Sequence, residues 1–514
     1  MTAELRPAGL NRAASPGQLA PGPVTADLRE PRPAASILPG RGRRARNSAG
    51  SWLARRPAWP IVALLVGYPL WWALGIADYM FLLLAVPMAL RLYGWHVQGR
   101  RRLRLPPGFS VWLLFLLCML AGAATLSLTA PGTTASPVGN RIFAFADRSA
   151  CYLAVTVLLL FAGNLTEREL PRRRLAWLLG LVGIYATIGG VGGILFPTFQ
   201  FTSPLALVMP KGFQANTLVQ SMLHPALSQV QNVLGVAEGR PKAPFNYTNA
   251  WGDSLTILLP WLLVAWSNTR RQRRMALAVV AVAIVTVVYS LNRGVWVGIA
   301  FTACYLAVRF AARGRVALLG AICAGLALAG AIIILSPLHS MISTRLSSDQ
   351  NSNTIRTTLS ILAVKDALAS PLIGYGDTRH QQGSPASIAI GPTPDCITCG
   401  QLGVGSTGQL WLLLVSDGFL GTALYLGFFG YGIWRYRRDM TPYGLAGVLV
   451  LLLSFVYMFT YQAVVAPLAF TMLSYALLWR NDAQLRSRDP AAEVAAGSGA
   501  GDGQPHVATS RALA

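Results

Sequence analysis

Long apolar runs, separated by short polar gaps, fill the chain from about residue 58 to residue 482. Most runs hold about 17–24 residues, enough for a helix to cross a hydrocarbon core roughly 30 Å thick. Helices are expected because lipid cannot satisfy exposed backbone groups. The pattern predicts an all-α integral membrane protein of about twelve spans, at 59–76, 78–94, 110–129, 143–163, 175–195, 248–267, 275–291, 294–311, 316–337, 412–434, 443–460 and 463–479.

The basic residues orient these spans. If the N-terminus is cytoplasmic, the tails and the connections on the inner side hold 33 of the 43 Lys and Arg residues. Every inner connection is then positive, as the positive-inside rule requires. The sequence therefore predicts a multi-pass protein of a cytoplasmic membrane, with both termini in the cytoplasm.

Composition agrees with a membrane protein and restricts its partners. The chain is 54% hydrophobic and 12% charged, whereas soluble domains carry about 25% charged residues. The net charge of +24 lies largely in the tails and short gaps, so it indicates topology and contact with anionic lipid, and no nucleic acid partner is expected. Residues 1–57, including "RGRRAR", and 483–514 lack the apolar content for a core, and we predict disordered cytoplasmic tails flanking a membrane domain at 58–482.

Two long connections, 196–247 and 338–411, fall on the predicted outer side. In the first, apolar positions from 218 to 234 recur near helical spacing and are interrupted by Pro225, which predicts a helix in the outer interface. In the second, Asn353 is a candidate N-cap for a helix that stops before Pro371. Together the two connections are expected to form one extracytoplasmic layer.

One arginine in the stretch "SLNRGVWVG" lies on the side where arginine is least expected. Arg293 occupies the outer turn between the seventh and eighth predicted spans. It either marks the end of a span by reaching into the interface or binds an anion in a cavity. Other outer arginines favour the second interpretation, because several guanidinium groups around one cleft suit a diphosphate; they are Arg148, Arg345, Arg356 and Arg379.

Four stretches in order resemble the bacterial O-antigen ligase and polymerase superfamily. "SLNRGVWVG" resembles its S-R-G-x-W-x-G turn, and "APFNYTNAWGDSLTILLP" its N-x-x-A entry into a span. "IRTTLSILAVKDALASPLIGYG" resembles its arginine-led helix ending in P-L-x-G-x-G, and "STGQLWLLLVSDGFLGTALYLGFF" its last motif. The resemblance covers about residues 245–435.

The resemblance implies a GT-C-like membrane glycosyltransferase of cell-surface polysaccharide assembly. Such an enzyme takes a saccharide from a polyprenyl diphosphate on the outer face of the membrane and transfers it to a glycan or lipid acceptor. Arg293 and Arg356 match the arginines expected to contact the diphosphate, with Arg345, Arg379 and Arg148 as further contacts. No nucleotide, metal or other cofactor is expected.

The chain departs from the ligase pattern at one position. Ligases of the family place a histidine about eleven residues before the first glycine of the G-x-x-G in the last motif. That glycine here is Gly418, and the position eleven residues before it is Thr407. Threonine cannot serve as a general base near neutral pH. Either the arginine-held leaving group suffices, or another outer residue accepts the proton; the candidates are Asp253, His380, Asp377 and Asp417.

Asp253 is the preferred candidate, since it lies about one turn into the sixth span, where an ionised carboxylate is costly unless paired. An ion pair with an outer arginine is the alternative. Asn246 and Asn249 are candidate ligands of sugar hydroxyls, although asparagine also serves in turns and caps.

The predicted outer face carries one cysteine pair, Cys396 and Cys399 in "CITC", and an oxidising compartment favours a disulfide between them. A zinc site would need further ligands at suitable spacing. The other function considered is a transporter of a lipid-linked saccharide or small anion. Transporters more often show repeated halves and charges near the midplane, whereas the charges here gather at the outer edge.

Overall fold

The computed structural model describes residues 57–99, 101–134, 138–210, 217–232, 237–335, 350–382 and 401–488. The predicted tails, Arg345, Cys396 and Cys399 lie outside these residues. The described part is predominantly helical, as predicted. Every predicted span coincides with a helix or with two consecutive short helices.

Six described α-helices precede the first long connection, and the last of them leads into it. The first span is divided at Gly67, and α4 continues into a short 3-10 helix at Gly122–Thr125. The bounds are α1 (Trp59–Val66), α2 (Tyr68–Ala73), α3 (Ala77–Val97), α4 (Phe109–Ala121), α5 (Val138–Asn164) and α6 (Arg172–Leu195).

The first outer connection contains less helix than predicted. Two short helices, α7 (Leu205–Val208) and α8 (Thr217–Leu223), precede an antiparallel hairpin of β1 (Ser228–Asn232) and β2 (Ala237–Pro241). The predicted interfacial helix is therefore wrong beyond residue 223. The sequence "SQVQN" alternates polar and apolar residues, which suits a strand.

Five described helices and a second hairpin follow. Helices α9 (Thr248–Ala265), α10 (Arg270–Tyr289), α11 (Arg293–Ala311) and α12 (Val316–Leu335) lead to α13 (Gln350–Ala369). Helix α13 ends before Pro371 as predicted, but it includes Asn353, which is therefore not its N-cap. The hairpin pairs β3 (Arg379–Gln382) with β4 (Gln401–Val404), so the expectation of an all-α fold omits two small sheets.

The chain ends its described part with α14 (Gln409–Tyr436), α15 (Pro442–Tyr457) and α16 (Ala466–Arg488). Among the described helices, six are long and apolar enough to cross a membrane: α3, α5, α6, α10, α11 and α14. Shorter apolar helices lie at Phe109–Thr125, Val316–Gly325 and Pro442–Tyr457. These findings indicate a multi-pass membrane protein.

The helices pack around one large apolar core. The most extensive helix–helix contacts join α9 to α6, α16 to α5, and α14 to α4. An aromatic cluster fills the space between α4, α5 and α14, where Trp112 lies 5.0 Å from Phe428 between ring centroids and donates a 2.8 Å hydrogen bond to Thr156. Bringing α14 against α4 and α5 matters for function, because it carries the start of α14 towards residues of α5.

Polar contacts separate the connections into two sets that match the predicted sides. Among the connections predicted to be inside, Arg101 contacts Glu169 at 3.0 Å and Arg480 contacts Glu167 at 2.8 Å. Among residues predicted to be outside, Arg148 pairs with Asp377. Residues assigned to one side by charge alone thus contact each other across long stretches of sequence.

Two family-like glycine motifs, the segment that follows α13 and the kink of α14 at Gly418, meet in a backbone junction. Tyr375 N–H donates to the Val415 carbonyl at 2.9 Å, and Gly376 N–H donates to the Ser416 carbonyl at 2.9 Å. Phe419 N–H donates in turn to the Pro371 carbonyl at 2.7 Å. The junction holds the segment after α13 against the kink of α14 at Gly418.

Candidate functional site

A cavity of about 1690 Å³, here called the chamber, lies among the ends of the helices predicted to face outward. Its wall is built from residues far apart in sequence, and it exceeds the roughly 300–1,000 Å³ of a typical small-molecule pocket. The charged and amide side chains that line it are Asp78, Asp147, Arg148, Gln229, Arg240, Asn246, Asn249, Asn292, Arg293, Asn353, Arg356, Asp377 and Gln462.

Arg293 begins α11 and lies on the chamber wall. Its guanidinium donates a 3.0 Å hydrogen bond to the side-chain oxygen of Asn353 in α13, which also lines the chamber. Helix N-termini attract anions because their first N–H groups and their dipole both favour negative charge. Arg293 therefore adds its positive charge where the helix already favours an anion.

Arg356 comes from α13 and reaches the same chamber. Its guanidinium donates to the Thr460 carbonyl between α15 and α16, at 3.4 Å. Arginines separated by a long stretch of sequence are thus brought to one wall. The two side chains matched to the family's diphosphate contacts share a cavity, as the resemblance implies.

Arg148 also lines the chamber but is held by protein groups. One guanidinium nitrogen lies 3.4 Å from the Asp377 carboxylate, and the other donates to the Gly376 carbonyl. Burial raises the pKa of Asp377, and the nearby Arg148 opposes that shift. This pair fastens α5 to the junction segment, so Arg148 contributes charge to the chamber from a fixed position.

Arg240, which the sequence analysis did not single out, is a further chamber arginine. It lies on β2, is 8% exposed and donates from Nε to the Ser290 carbonyl at 2.8 Å. Because an isolated arginine in a polar connection carries no periodic or motif signal, only the hairpin fold could place it here. The carbonyl lies one turn before Arg293 in the family-like stretch, which joins the first outer connection to that stretch.

Asn246 and Asn249 line the chamber, as a role in sugar binding requires. Asn246 donates a 2.6 Å hydrogen bond to the Asp78 carboxylate. Asn249 accepts from Asn292 at 3.4 Å, and Asn292 accepts in turn from the Tyr461 hydroxyl. These amides form part of a connected polar wall beside the arginines.

Arg379 and His380 lie away from the chamber wall. Arg379 is 1% exposed and donates to four backbone carbonyls, those of Asp377, Thr378, Leu128 and Tyr375. Burial, and repulsion from Arg141, lower the pKa of Arg379 to about 10. These are the contacts of an arginine that organises its own loop.

His380 lies on β3, and burial lowers the pKa of its imidazole. Its backbone carbonyl accepts hydrogen bonds from the N–H of Thr134 at 2.7 Å and from its hydroxyl at 3.0 Å. The contacts found for His380 thus connect two loops.

Asp253 does not reach the chamber either. It is 3% exposed in α9 and borders a separate internal cavity of about 20 Å³ together with Gln409 and Tyr457. One carboxylate oxygen has no hydrogen-bond partner among the described residues, and the alternative, an ion pair with an outer arginine, is not found among them either. Asp417 is likewise buried, bonded to the Ser416 hydroxyl. Neither carboxylate is placed to meet an acceptor in the chamber.

Thr407, at the family's histidine position, does lie on the chamber wall. Its hydroxyl oxygen is buried and has no hydrogen-bond partner within the described part of the chain. The position matched to the family's histidine thus lies on the chamber wall, but its side chain lacks a basic group. No cluster of three or more His, Cys, Asp or Glu residues suited to a metal occurs among the described residues.

Two chamber carboxylates were missed at the sequence level. Asp78 lies in the first turn of α3 and Asp147 lies in α5, both near the predicted outer ends of spans. For Asp147 the available signal was the same as for Asp253, namely an acidic residue about one turn inside a span. Asp78 is the first residue of its predicted span, so that signal would not have identified it.

Comparison with known proteins supports the resemblance on which these assignments depend. Residues 278–395 match the family Wzy_C, described as O-Antigen ligase. This stretch belongs to the O-antigen ligase superfamily. It contains Arg293, Arg356 and the P-L-x-G-x-G segment that follows α13, while the other two family-like stretches, 243–260 and 406–429, lie outside it. No curated protein matches the chain.

The O-antigen ligase region contains a buried carboxylate whose titration we expect to affect stability. Asp366 in α13 is fully buried, and neither carboxylate oxygen has a partner among the described residues. Burial raises its pKa to about 6, opposed by Arg379. The unfolded value is near 3.9. The stabilising contribution of the neutral form is therefore complete below about pH 4 and is lost as pH rises through about 6.

Thermal unfolding in detergent should show this dependence. We expect the Tm to fall between about pH 4 and pH 7, and Asp366→Asn to weaken the fall and unfold at a higher temperature than wild type at pH 7. Asp482→Asn, which removes a 3.0 Å contact to Arg435 at the other end of the molecule, is the control and should retain the fall. An unchanged pH dependence in Asp366→Asn would refute the assignment.

Proposed function

We propose that the protein is a GT-C-like glycosyltransferase that transfers or polymerises a saccharide from a polyprenyl-diphosphate donor. The observation that carries the proposal is the meeting of Arg293 and Arg356 on the wall of one large chamber, in a membrane protein with an O-antigen ligase region. In the proposed topology, twelve spans place both termini in the cytoplasm and the chamber at the outer face.

The chemistry of the donor explains why arginines are needed. As the acceptor oxygen attacks the anomeric carbon, the bond from that carbon to the phosphate oxygen breaks and its electron pair stays on the diphosphate. Fixed cations near that oxygen stabilise the transition state more than the ground state. We assign this role to Arg293 and Arg356, with the N-terminus of α11 adding to the field.

The remaining chamber groups suit the saccharides. Asn246, Asn249 and Gln229 offer amide donors and acceptors to sugar hydroxyls. Arg148 and Arg240, both fixed by backbone carbonyls, supply further positive charge without moving. The acceptor is a glycan or lipid bearing a free hydroxyl, and the polyprenyl chain remains in the surrounding bilayer.

Reconstitution tests the proposal. Purified protein in proteoliposomes, given a polyprenyl-diphosphate-linked oligosaccharide and a hydroxyl-bearing glycan acceptor, should produce an elongated acceptor and free polyprenyl diphosphate. Vesicles containing the Arg293→Ala variant are the control and should form little product. Movement of intact donor between leaflets without any transfer would refute the enzyme and favour a transporter.

A further inference from the structure

The chamber is lined by carboxylates as well as by arginines. Asp78 and Asp147 face the same space as Arg240, Arg293 and Arg356. Asp78 comes from α3 and Asp147 from α5, two helices that pack against each other. A carboxylate that lines a cavity built for a dianionic leaving group repels that group, so its value must lie with another part of the reaction.

The two carboxylates differ in their hydrogen bonding. Asp78 accepts a 2.6 Å hydrogen bond from Asn246, itself buried, and is thereby fixed. No hydrogen bond to the Asp147 carboxylate occurs among the described residues, and its charged neighbours include Arg148 on the same helix and Asp78 on α3. The Arg148 guanidinium is directed to Asp377 and the Gly376 carbonyl. Asp147 thus keeps its acceptor lone pairs available to a group in the chamber.

The position is also chemically specific. The usual proton acceptor of this motif is replaced by Thr407, which lies on the wall of the same chamber as Asp147. A sugar hydroxyl attacking an anomeric carbon loses its proton during the reaction, and a carboxylate within hydrogen-bond reach can accept it. Asp253 and Asp417 do not line the chamber, and Asp377 is engaged by Arg148.

We propose that Asp147 is the general base that accepts the proton of the acceptor hydroxyl, with Asp78 and Asn246 holding the acceptor sugar beside it. This inference rests on the proposed glycosyl transfer. The acceptor O–H proton passes to the Asp147 carboxylate as the new C–O bond forms. The electron pair of the broken C–O bond leaves on the diphosphate, next to Arg293 and Arg356. The proton and the negative charge of the leaving group are thus taken up by different side chains of the chamber.

The test compares chemistry with donor binding in the reconstituted full-length protein. Asp147→Asn keeps the shape of the side chain but removes its basicity, so we expect transfer to fall about 100-fold or more, while binding of the lipid-linked donor stays within about threefold of wild type. Asp147→Glu should recover part of the rate. Added formate should partly restore transfer in Asp147→Ala, which a merely structural role would not allow. Asp482→Asn, remote from the chamber, should behave as wild type.

The outcomes separate this inference from the proposed function. Absence of transfer by the wild-type protein would refute glycosyl transfer itself. Normal transfer by wild type together with unimpaired Asp147→Asn would overturn only the role of Asp147. Loss of transfer in Thr407→Ala with full activity in Asp147→Asn would move proton acceptance to the threonine side of the chamber and overturn the inference as well.

Discussion

Replacing Arg293 with alanine should lower the rate of saccharide transfer by about 30- to 1000-fold. One charge-assisted contact to the phosphate of the leaving group is worth roughly 2–4 kcal/mol in the transition state. Arg293→Lys keeps the positive charge but loses the planar pair of donors that matches a phosphate, so its activity should lie between wild type and Arg293→Ala. The hydrogen bond to Asn353 fixes the guanidinium orientation that lysine cannot reproduce.

The measurement is transfer from a lipid-linked donor per molecule of folded protein in detergent or vesicles. Arg313→Ala is the matched control, because Arg313 follows the opposite end of the same helix and its guanidinium donates to the Met440 carbonyl. It should turn over at the wild-type rate. If Arg293→Ala lowers the amount of folded protein but leaves turnover per molecule unchanged, then the arginine is structural and the chamber loses its main functional support.

Gly418→Ala should destabilise the protein by about 3 kcal/mol or more, enough to remove most folded protein from the membrane. Gly418 has φ 66° and ψ −169°, a conformation that is essentially restricted to glycine and costs other residues of order 1–3 kcal/mol. An added Cβ would lie 2.7 Å from the Pro371 carbonyl oxygen and 2.9 Å from the Gly374 nitrogen. Both are backbone atoms of the junction, so no flexible side chain can move aside to make room.

Thermal unfolding in detergent and the yield of monodisperse protein measure the effect. Gly427→Ala is the control within the same helix, since a Cβ there meets only Val111, at an ordinary 3.6 Å. Because alanine has a higher helix propensity than glycine, this variant should be neutral or slightly stabilised. Equal unfolding temperatures for the two variants would show that the kink of α14 tolerates side chains and that the junction is loose.

The features that the sequence predicted well are those governed by the membrane itself. Apolar length acts residue by residue, so every predicted span meets a helix, and connections grouped on one side by charge contact each other, as Arg101 and Glu169 do. The sequence also predicted that Arg293 and Arg356 share a cavity, because a motif indicates both the residue type and its position in the fold. The family match at residues 278–395 confirms the resemblance that supplied this information.

The features that the sequence missed depend on which distant segments meet. The β1–β2 hairpin places Arg240 on the chamber wall, and neither its strand pairing nor its register follows from local apolar spacing alone. Asp253 and Asp147 look alike in sequence, each an acidic residue near the outer end of a span. The rotation of each helix in the bundle decides that Asp147 faces the chamber and Asp253 faces the packing between helices.

The size of the chamber has a consequence for the order of events. A space of about 1690 Å³ is larger than one small-molecule ligand requires, so a donor sugar with its diphosphate and an acceptor sugar can occupy it together. The saccharide can then pass directly from donor to acceptor, without a covalent intermediate on the protein. Initial rates measured against both substrates would form the intersecting pattern of a ternary complex, and the parallel lines of a ping-pong scheme would not arise.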